Sequence, residues 1–170
     1  MTEDSYYFDA VNWAVSRGIT EGTGSTTFSP EAVCTRAQMV TFLWRAAGRP
    51  EPVSTEHPFS DLEEASYYFK AVLWAFENGI ALGTSDTTFN PNDTVTRGQA
   101  VTFLFRALNT AAGEENPFTD VREEAYYYDA VLWSYENGVT KGNSDTTFGP
   151  ADACLRAHIV TFLYRAYGGA

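Results

Sequence analysis

Residues 66–108 read SYYFKAVLWAFENGIALGTSDTTFNPNDTVTRGQAVTFLFRAL, and this stretch contains the pattern from which the fold can be inferred. Its first part, up to Glu77, spaces apolar residues as on one face of a helix. Gly79 followed by Ile80 is typical of a left-handed helix C-cap with an apolar residue behind it. The polar loop that follows contains a single phenylalanine, Phe89. We therefore predict a helix, a glycine turn, and a loop held to the core by that phenylalanine.

A second helix is predicted from Thr96-Arg97-Gly98-Gln99 onward. Thr96 can accept a hydrogen bond from the first turn, and Gln99 can return one, which makes a capping box. Apolar residues then recur at helical spacing until Arg106, whose positive charge suits the negative end of the helix dipole.

The same pattern occurs 61 residues upstream and 59 residues downstream. These offsets relate Trp13, Trp74 and Trp133; Phe28, Phe89 and Phe148; and Arg36, Arg97 and Arg156. We assign three units, at 1–48, 58–108 and 117–168. Linkers containing Pro and Gly join them, and Phe59 or Phe118 opens the next unit. The equivalent phenylalanine of the first unit would fall before residue 1, so its opening segment is missing. Because two helices cannot bury their apolar faces alone, the predicted fold is all-α with a core shared by three repeats.

Composition narrows the possible functions. The net charge of the 170 residues is −11, which disfavours nucleic acid and anionic lipid surfaces as partners. No apolar run is long enough for a membrane span, and no signal peptide is recognisable, so export would be encoded elsewhere. Two cysteines without CxxC spacing and two histidines are too few for a zinc site. A disulfide would require the repeats to meet at Cys34 and Cys154; buried free thiols are the favoured interpretation.

Three arginines are the strongest candidates for a binding site: Arg36, Arg97 and Arg156. Each is predicted in the first turn of a second helix, where a cation is disfavoured by about 0.3–1 kcal/mol unless an anion lies nearby. A guanidinium beside free helix N–H groups could bind a carboxylate or phosphate. Alternatively, each arginine could pair with an Asp or Glu of a neighbouring repeat. The sequence alone leaves both explanations open.

Other candidate sites are weaker. The loop stretch from Asp86 to Asp93 lacks the alternating oxygen ligands and final glutamate of a calcium loop. The three tryptophans could stack on sugar rings, but aromatic residues at helical spacing are more often core. The pairs Glu63-Glu64 and Glu123-Glu124 are adjacent residues at a predicted helix start and point apart. No nucleophile has a base at usable spacing, so we predict no enzyme and no cofactor.

Taken together, these elements resemble the S-layer homology (SLH) modules of bacterial surface proteins. The resemblance covers essentially the whole chain. It rests on the opening Phe59-Ser60-Asp61 and Phe118-Thr119-Asp120, the tryptophan of the first helix, the Gly-Ile or Gly-Val turn, the TTF-x-P loop, and the Thr-Arg-Ala-Gln or Thr-Arg-Gly-Gln box.

The resemblance implies a pseudo-threefold, spindle-like bundle with grooves between repeats. It also implies non-covalent attachment of a larger surface protein to an anionic, pyruvylated secondary cell-wall polysaccharide, at an extracellular location. The family's groove arginine carries over to Arg36, Arg97 and Arg156. The neighbouring box residues Thr35, Thr96, Gln38 and Gln99 carry over with them. The alternative is a protein–protein module for surface-layer assembly or host adhesion.

The third box departs from the family pattern, since it reads Leu155-Arg156-Ala157-His158. Leu155 cannot cap the helix, and losing such a cap typically costs about 1 kcal/mol. We therefore expect Arg156 to be held less firmly than Arg97, and its groove to bind most weakly.

Overall fold

The computed structural model describes residues 2–168, which form six α-helices. They are α1 (Phe8–Ser16), α2 (Arg36–Ala46), α3 (Phe69–Glu77), α4 (Arg97–Leu108), α5 (Tyr128–Glu136) and α6 (Arg156–Leu163). A π-helical turn, Tyr164–Gly168, continues α6. Isolated β-bridges occur, but no strand forms in the described range. The all-α prediction is confirmed. None of the helices in this range is both long and apolar enough to cross a bilayer.

The predicted glycine caps end the first helix of each repeat. Gly18, Gly79 and Gly138 adopt φ values of 63°, 66° and 66°, a region that residues with a Cβ rarely occupy. The N–H of Ile19 donates to the carbonyl of Ala14 at 2.8 Å, which is the long-range bond of a Schellman motif. These helices are therefore short, at nine residues each, because the cap stops them by local chemistry.

The predicted capping boxes are present at α2 and α4. The Thr35 hydroxyl accepts the N–H of Gln38 at 3.2 Å, and the Gln38 side chain accepts the N–H of Thr35 at 3.1 Å. Thr96 and Gln99 repeat the arrangement. At α6 only half of the box remains. Leu155 has no side-chain acceptor, but Nδ1 of His158 accepts the Leu155 N–H at 3.3 Å.

The three repeats interlock in a ring. Helices α2, α4 and α6 contact one another at the centre of the molecule. Around them, α3 packs on α2, α5 packs on α4, and α1 packs on α6. Each outer helix therefore packs on the inner helix of a different repeat, and the first repeat closes the ring against the third. The core is shared, as the sequence predicts.

Backbone hydrogen bonds close the ring where the loops enter the inner helices. The N–H of Cys34 donates to the carbonyl of Cys154, that of Val95 to Cys34, and that of Cys154 to Val95, each at 2.9 Å. The two cysteines are nevertheless free and buried, as predicted. Burial raises the pKa of each thiol to about 12.

The opening segments of repeats 2 and 3 fasten the loops. Phe59 is buried against Phe89, and the Asp61 carboxylate accepts the N–H groups of Phe89 and Asn90 at 2.8 and 2.7 Å. Phe118 and Asp120 do the same in repeat 3. Residues 2–7 supply no counterpart to the first loop, and Phe28 is only half-buried.

The other aromatic and acidic candidates have structural roles or lie at the surface. Trp74 and Trp133 are buried, while Trp13 is half-buried against Tyr164. Their interpretation as core residues is correct. The pairs Glu63-Glu64 and Glu123-Glu124 are exposed and precede α3 and α5 by several residues, so they do not lie at a helix start as expected.

Candidate functional site: three grooves between repeats

Each box arginine lies at the bottom of a groove built from all three repeats. Groove 1 contains Arg36, groove 2 contains Arg97, and groove 3 contains Arg156. The arginine comes from one repeat, the loop and inner helix of the next repeat form the walls, and a tyrosine of the remaining repeat completes the rim. The grooves have volumes of about 270, 360 and 460 Å³, close to the lower end of the range of small-ligand sites.

The arginine side chains cross the repeat boundary. Nε of Arg36 donates to the carbonyl of Phe89 at 2.9 Å, and Nη2 donates to the carbonyl of Leu82 at 3.0 Å. The guanidinium carbon also lies 4.7 Å from the centre of the Phe89 ring, within cation–π range. The loop phenylalanine of one repeat is therefore the main partner of the preceding repeat's arginine.

Arg97 and Arg156 make the same contacts in their own grooves. Their Nε atoms donate to the carbonyls of Phe148 and Phe28, each at 3.0 Å. Their Nη2 atoms donate to the hydroxyls of Thr140 and Thr20 at 3.3 and 3.4 Å. Groove 1 has Ala81 where the others have threonine, so Arg36 uses a carbonyl instead.

Within residues 2–168 no carboxylate pairs with these arginines, so the predicted pairing with an Asp or Glu of a neighbouring repeat is not found there. Lys70–Glu51 is the only ion pair within residues 2–168. Burial lowers the pKa of all three guanidinium groups, which nevertheless stay charged. Carbonyl oxygens and phenylalanine rings balance part of this charge.

One nitrogen of each guanidinium has no hydrogen-bond partner within residues 2–168. Nη1 of Arg36, Arg97 and Arg156 donates to no described protein group. No buried side-chain nitrogen in residues 2–168 lacks a partner, so each Nη1 is in contact with solvent. The residues as a whole are only 3–4% exposed. The arginines are therefore nearly buried, and each has only Nη1 left to donate to a ligand.

The backbone N–H groups at the start of the inner helices do not contribute to the site. The N–H of Arg36 donates to Asp93, and that of Ala37 to Pro91, both at 2.9 Å and both in the neighbouring repeat. Equivalent bonds occupy the first N–H groups of α4 and α6. The N–H groups of Gln38 and Gln99 donate to the hydroxyls of Thr35 and Thr96, the capping residues of their own helices. The prediction that free helix N–H groups help to bind an anion is therefore wrong, and the guanidinium group is the only part of this arrangement that can still donate to a ligand.

The box glutamines line grooves other than those of their own arginines. Gln99 faces groove 1 beside Arg36, Gln38 faces groove 3 beside Arg156, and His158 faces groove 2 beside Arg97. Thr35 and Thr96 serve as caps and line none of the three grooves. The altered third box thus changes groove 2 and not groove 3. Arg156 keeps the contacts that Arg97 makes, so the missing cap gives no reason for a loose Arg156.

Sequence reasoning missed two further sets of groove residues. The first is the arginine nine positions after each box arginine, which donates to the carbonyl behind the glycine turn of its own repeat. The second is an exposed tyrosine from the Tyr-Tyr pair that immediately precedes the outer helix. Groove 1 has Arg106 and Tyr126, groove 2 has Arg165 and Tyr6, and groove 3 has Arg45 and Tyr67. The register of both sets was visible in the sequence.

Three segments of the chain match the S-layer homology domain family: residues 2–40, 58–101 and 117–159. Together they cover well over half of the sequence, and the chain belongs to this family. S-layer homology domains are non-catalytic modules that anchor proteins at the cell surface.

The relatives of the chain are much longer proteins. It is 33% identical over 117 residues to a surface-layer 125 kDa protein of Lysinibacillus sphaericus, which covers 68% of this chain and 10% of that protein. It is 31% identical over 153 residues to an endoglucanase of Bacillus sp. (strain KSM-635), covering 86% of this chain and 16% of the endoglucanase. A cellulosome-anchoring protein of Acetivibrio thermocellus is 27% identical over 150 residues, or 82% of this chain and 33% of that protein.

Proposed function

We propose that this chain attaches a larger surface protein non-covalently to an anionic, pyruvylated polysaccharide of the bacterial cell wall. The binding sites are the three grooves, and the module works outside the cell. The observation that carries the proposal is the repeated, solvent-accessible Nη1 of a buried arginine that no carboxylate of the described residues neutralises.

The chemistry of the groove suits a carboxylate on a sugar. Nη1 presents two N–H donors in a fixed plane, and the second arginine of each groove adds a positive charge to the same wall. Because protein carbonyls and, in grooves 2 and 3, threonine hydroxyls already hold Nε and Nη2, the guanidinium is oriented before the ligand arrives, which reduces the entropy lost on binding.

The exposed tyrosines supply an apolar surface for a sugar ring. Tyr6, Tyr67 and Tyr126 are 60%, 62% and 61% exposed, which is unusual for a large aromatic residue that occurs at the same place in every repeat. Each packs edge-to-face on the following tyrosine, so its ring is held at the groove rim. Gln38 and Gln99 add amide groups that can bind sugar hydroxyls.

The names of the relatives support the same proposal. They include a surface-layer protein, a cellulosome-anchoring protein and an enzyme, which have different activities and share this module. A common module in such different proteins is expected to provide attachment, and the activity is expected to come from the remaining sequence.

The test is binding of the chain to purified wall polysaccharide before and after chemical removal of its pyruvate. Retention should fall strongly after removal. Equal retention on both preparations would reject the anionic ligand. Retention on other surface proteins, with none on either polysaccharide, would favour the protein–protein alternative.

Variants connect this result to the grooves. Arg97→Lys keeps the charge but loses the fork, and Tyr126→Ala leaves every arginine in place; both should weaken binding. Arg122→Ala removes an exposed positive charge outside the grooves and should have little effect. Melting curves of each variant separate loss of binding from loss of folding.

A further inference from the structure

Each of the three grooves contains two arginines of its own, but the grooves differ in the charge of one residue at the rim. This rim residue lies three positions after the glycine of the turn, in the loop that holds the box arginine. It is Leu82 in groove 1, Lys141 in groove 2 and Glu21 in groove 3. All three are exposed. With two arginines in each groove, the lining charges sum to +2, +3 and +1 respectively.

We propose that Lys141 makes groove 2 the principal site for the anionic glycan, and that Glu21 makes groove 3 the weakest. This inference rests on the proposed function and ranks its three sites. The order of occupation is groove 2, then groove 1, then groove 3.

The other charged groups leave the rim residue as the main difference between grooves. No carboxylate lines groove 1 or groove 2 within residues 2–168, whereas Glu21 lines groove 3. Glu31 acts electrostatically on Tyr6 and His158 but does not line groove 2. His158 replaces glutamine in groove 2. Burial and the charge of Arg97 lower its pKa, so it is neutral near pH 7 and adds no charge. Lys141 therefore accounts for the extra positive charge of groove 2.

Glu21 acts against a carboxylate ligand in two ways. Its negative charge repels the ligand directly, and it also offers a competing partner to Arg156 or Arg45 at the same rim. Leu82 does neither, which places groove 1 between the others.

The size of the effect follows from the exposure of these side chains. A single exposed charge pair changes an affinity by about two- to fivefold at low ionic strength. Grooves 2 and 3 differ by two charges, so their affinities should differ by roughly 4- to 25-fold. The difference should shrink in high salt, because counterions screen exposed charges.

Residue-resolved NMR can measure the order of occupation. Gly22, Gly83 and Gly142 directly follow the rim residues, so their amide signals report on grooves 3, 1 and 2. We would titrate the intact chain with soluble pyruvylated wall-polysaccharide fragments at low and high salt. The Gly142 signal should saturate first and the Gly22 signal last.

The matched control exchanges the rim charges. The double variant Lys141→Glu with Glu21→Lys keeps the net charge, and neither side chain makes a hydrogen bond within the described residues, so the fold should be unaffected. In this variant Gly22 should saturate before Gly142. An unchanged order in the variant, or Gly83 or Gly22 saturating first in the original chain, would overturn the inference while leaving the proposed function intact. No response at any groove would reject the proposed function itself.

Discussion

The carboxylate of Asp120 connects the stability of a loop to the geometry of groove 2. It accepts the N–H groups of Phe148 and Gly149 at 2.8 and 2.7 Å, and the carbonyl of Phe148 in turn accepts Nε of Arg97. In Asp120→Ala the two N–H groups lose their partner and the loop loses its fastening. We expect the variant to be less stable and to bind the glycan more weakly at groove 2.

The magnitude can be worked from these contacts. Hydrogen bonds to a charged group contribute about 1.5–3 kcal/mol each. Asp120 is half-buried, so water replaces part of what is lost, and we expect a decrease of roughly 2–3 kcal/mol in the free energy of unfolding. For a protein of this length 1 kcal/mol corresponds to about 2–4 °C in melting temperature, which predicts a drop of roughly 4–12 °C.

Thermal unfolding followed by circular dichroism at pH 7 would measure this drop. The matched control is Asp145→Ala, which removes an exposed carboxylate from the same loop that makes no hydrogen bond in the described structure. A melting temperature for Asp120→Ala no lower than that of Asp145→Ala would refute the reasoning. A large drop with undisturbed binding at groove 2 would show that the loop does not position Arg97.

Three further outcomes follow from the shared core and its buried groups. A single repeat spanning Phe59–Leu108 should show no cooperative melting transition by calorimetry, because its helices pack on other repeats; an independent transition would contradict the shared core. Cys34 and Cys154 should not react with a thiol reagent in the native state, since burial raises their pKa to about 12, and should react fully in denaturant; rapid native labelling would contradict their burial. Burial and Arg97 lower the pKa of His158 in the folded state. Below about pH 6.5, the ordinary pKa of histidine, the unfolded chain therefore binds a proton more readily than the folded chain, and the free energy of unfolding falls as the pH is lowered. His158→Gln should therefore lose less stability than the original chain between pH 7.5 and 5.5, measured by urea titration, and an equal loss in both would count against this role.

Features decided by local chemistry could be predicted from the sequence. The glycine caps, the capping boxes at Thr35 and Thr96, and the loop phenylalanines depend on residues a few positions apart, and all are present in the structure. The repeat offsets also identify the three arginines.

Features decided by contacts between repeats could not be predicted. Arg36 bonds to a loop more than forty residues away, and its groove contains Gln99 and not the glutamine of its own box. In the sequence the helix dipole accounts for Arg106, and this local explanation does not indicate that Arg106 lines groove 1. In each Tyr-Tyr pair both residues are equally apolar, so only the packing decides that Tyr67 faces outward.

The triangle of backbone hydrogen bonds among Cys34, Val95 and Cys154 has a consequence for how the module can evolve. In an open stack of repeats a further copy can be added at either end, because each repeat contacts only its neighbours. Here every corner of the triangle already uses its donor and its acceptor, so a fourth copy would find no place in the ring. Duplication of a single repeat should therefore leave the extra copy unfolded, and enlargement of such an anchor is expected to proceed by whole sets of three.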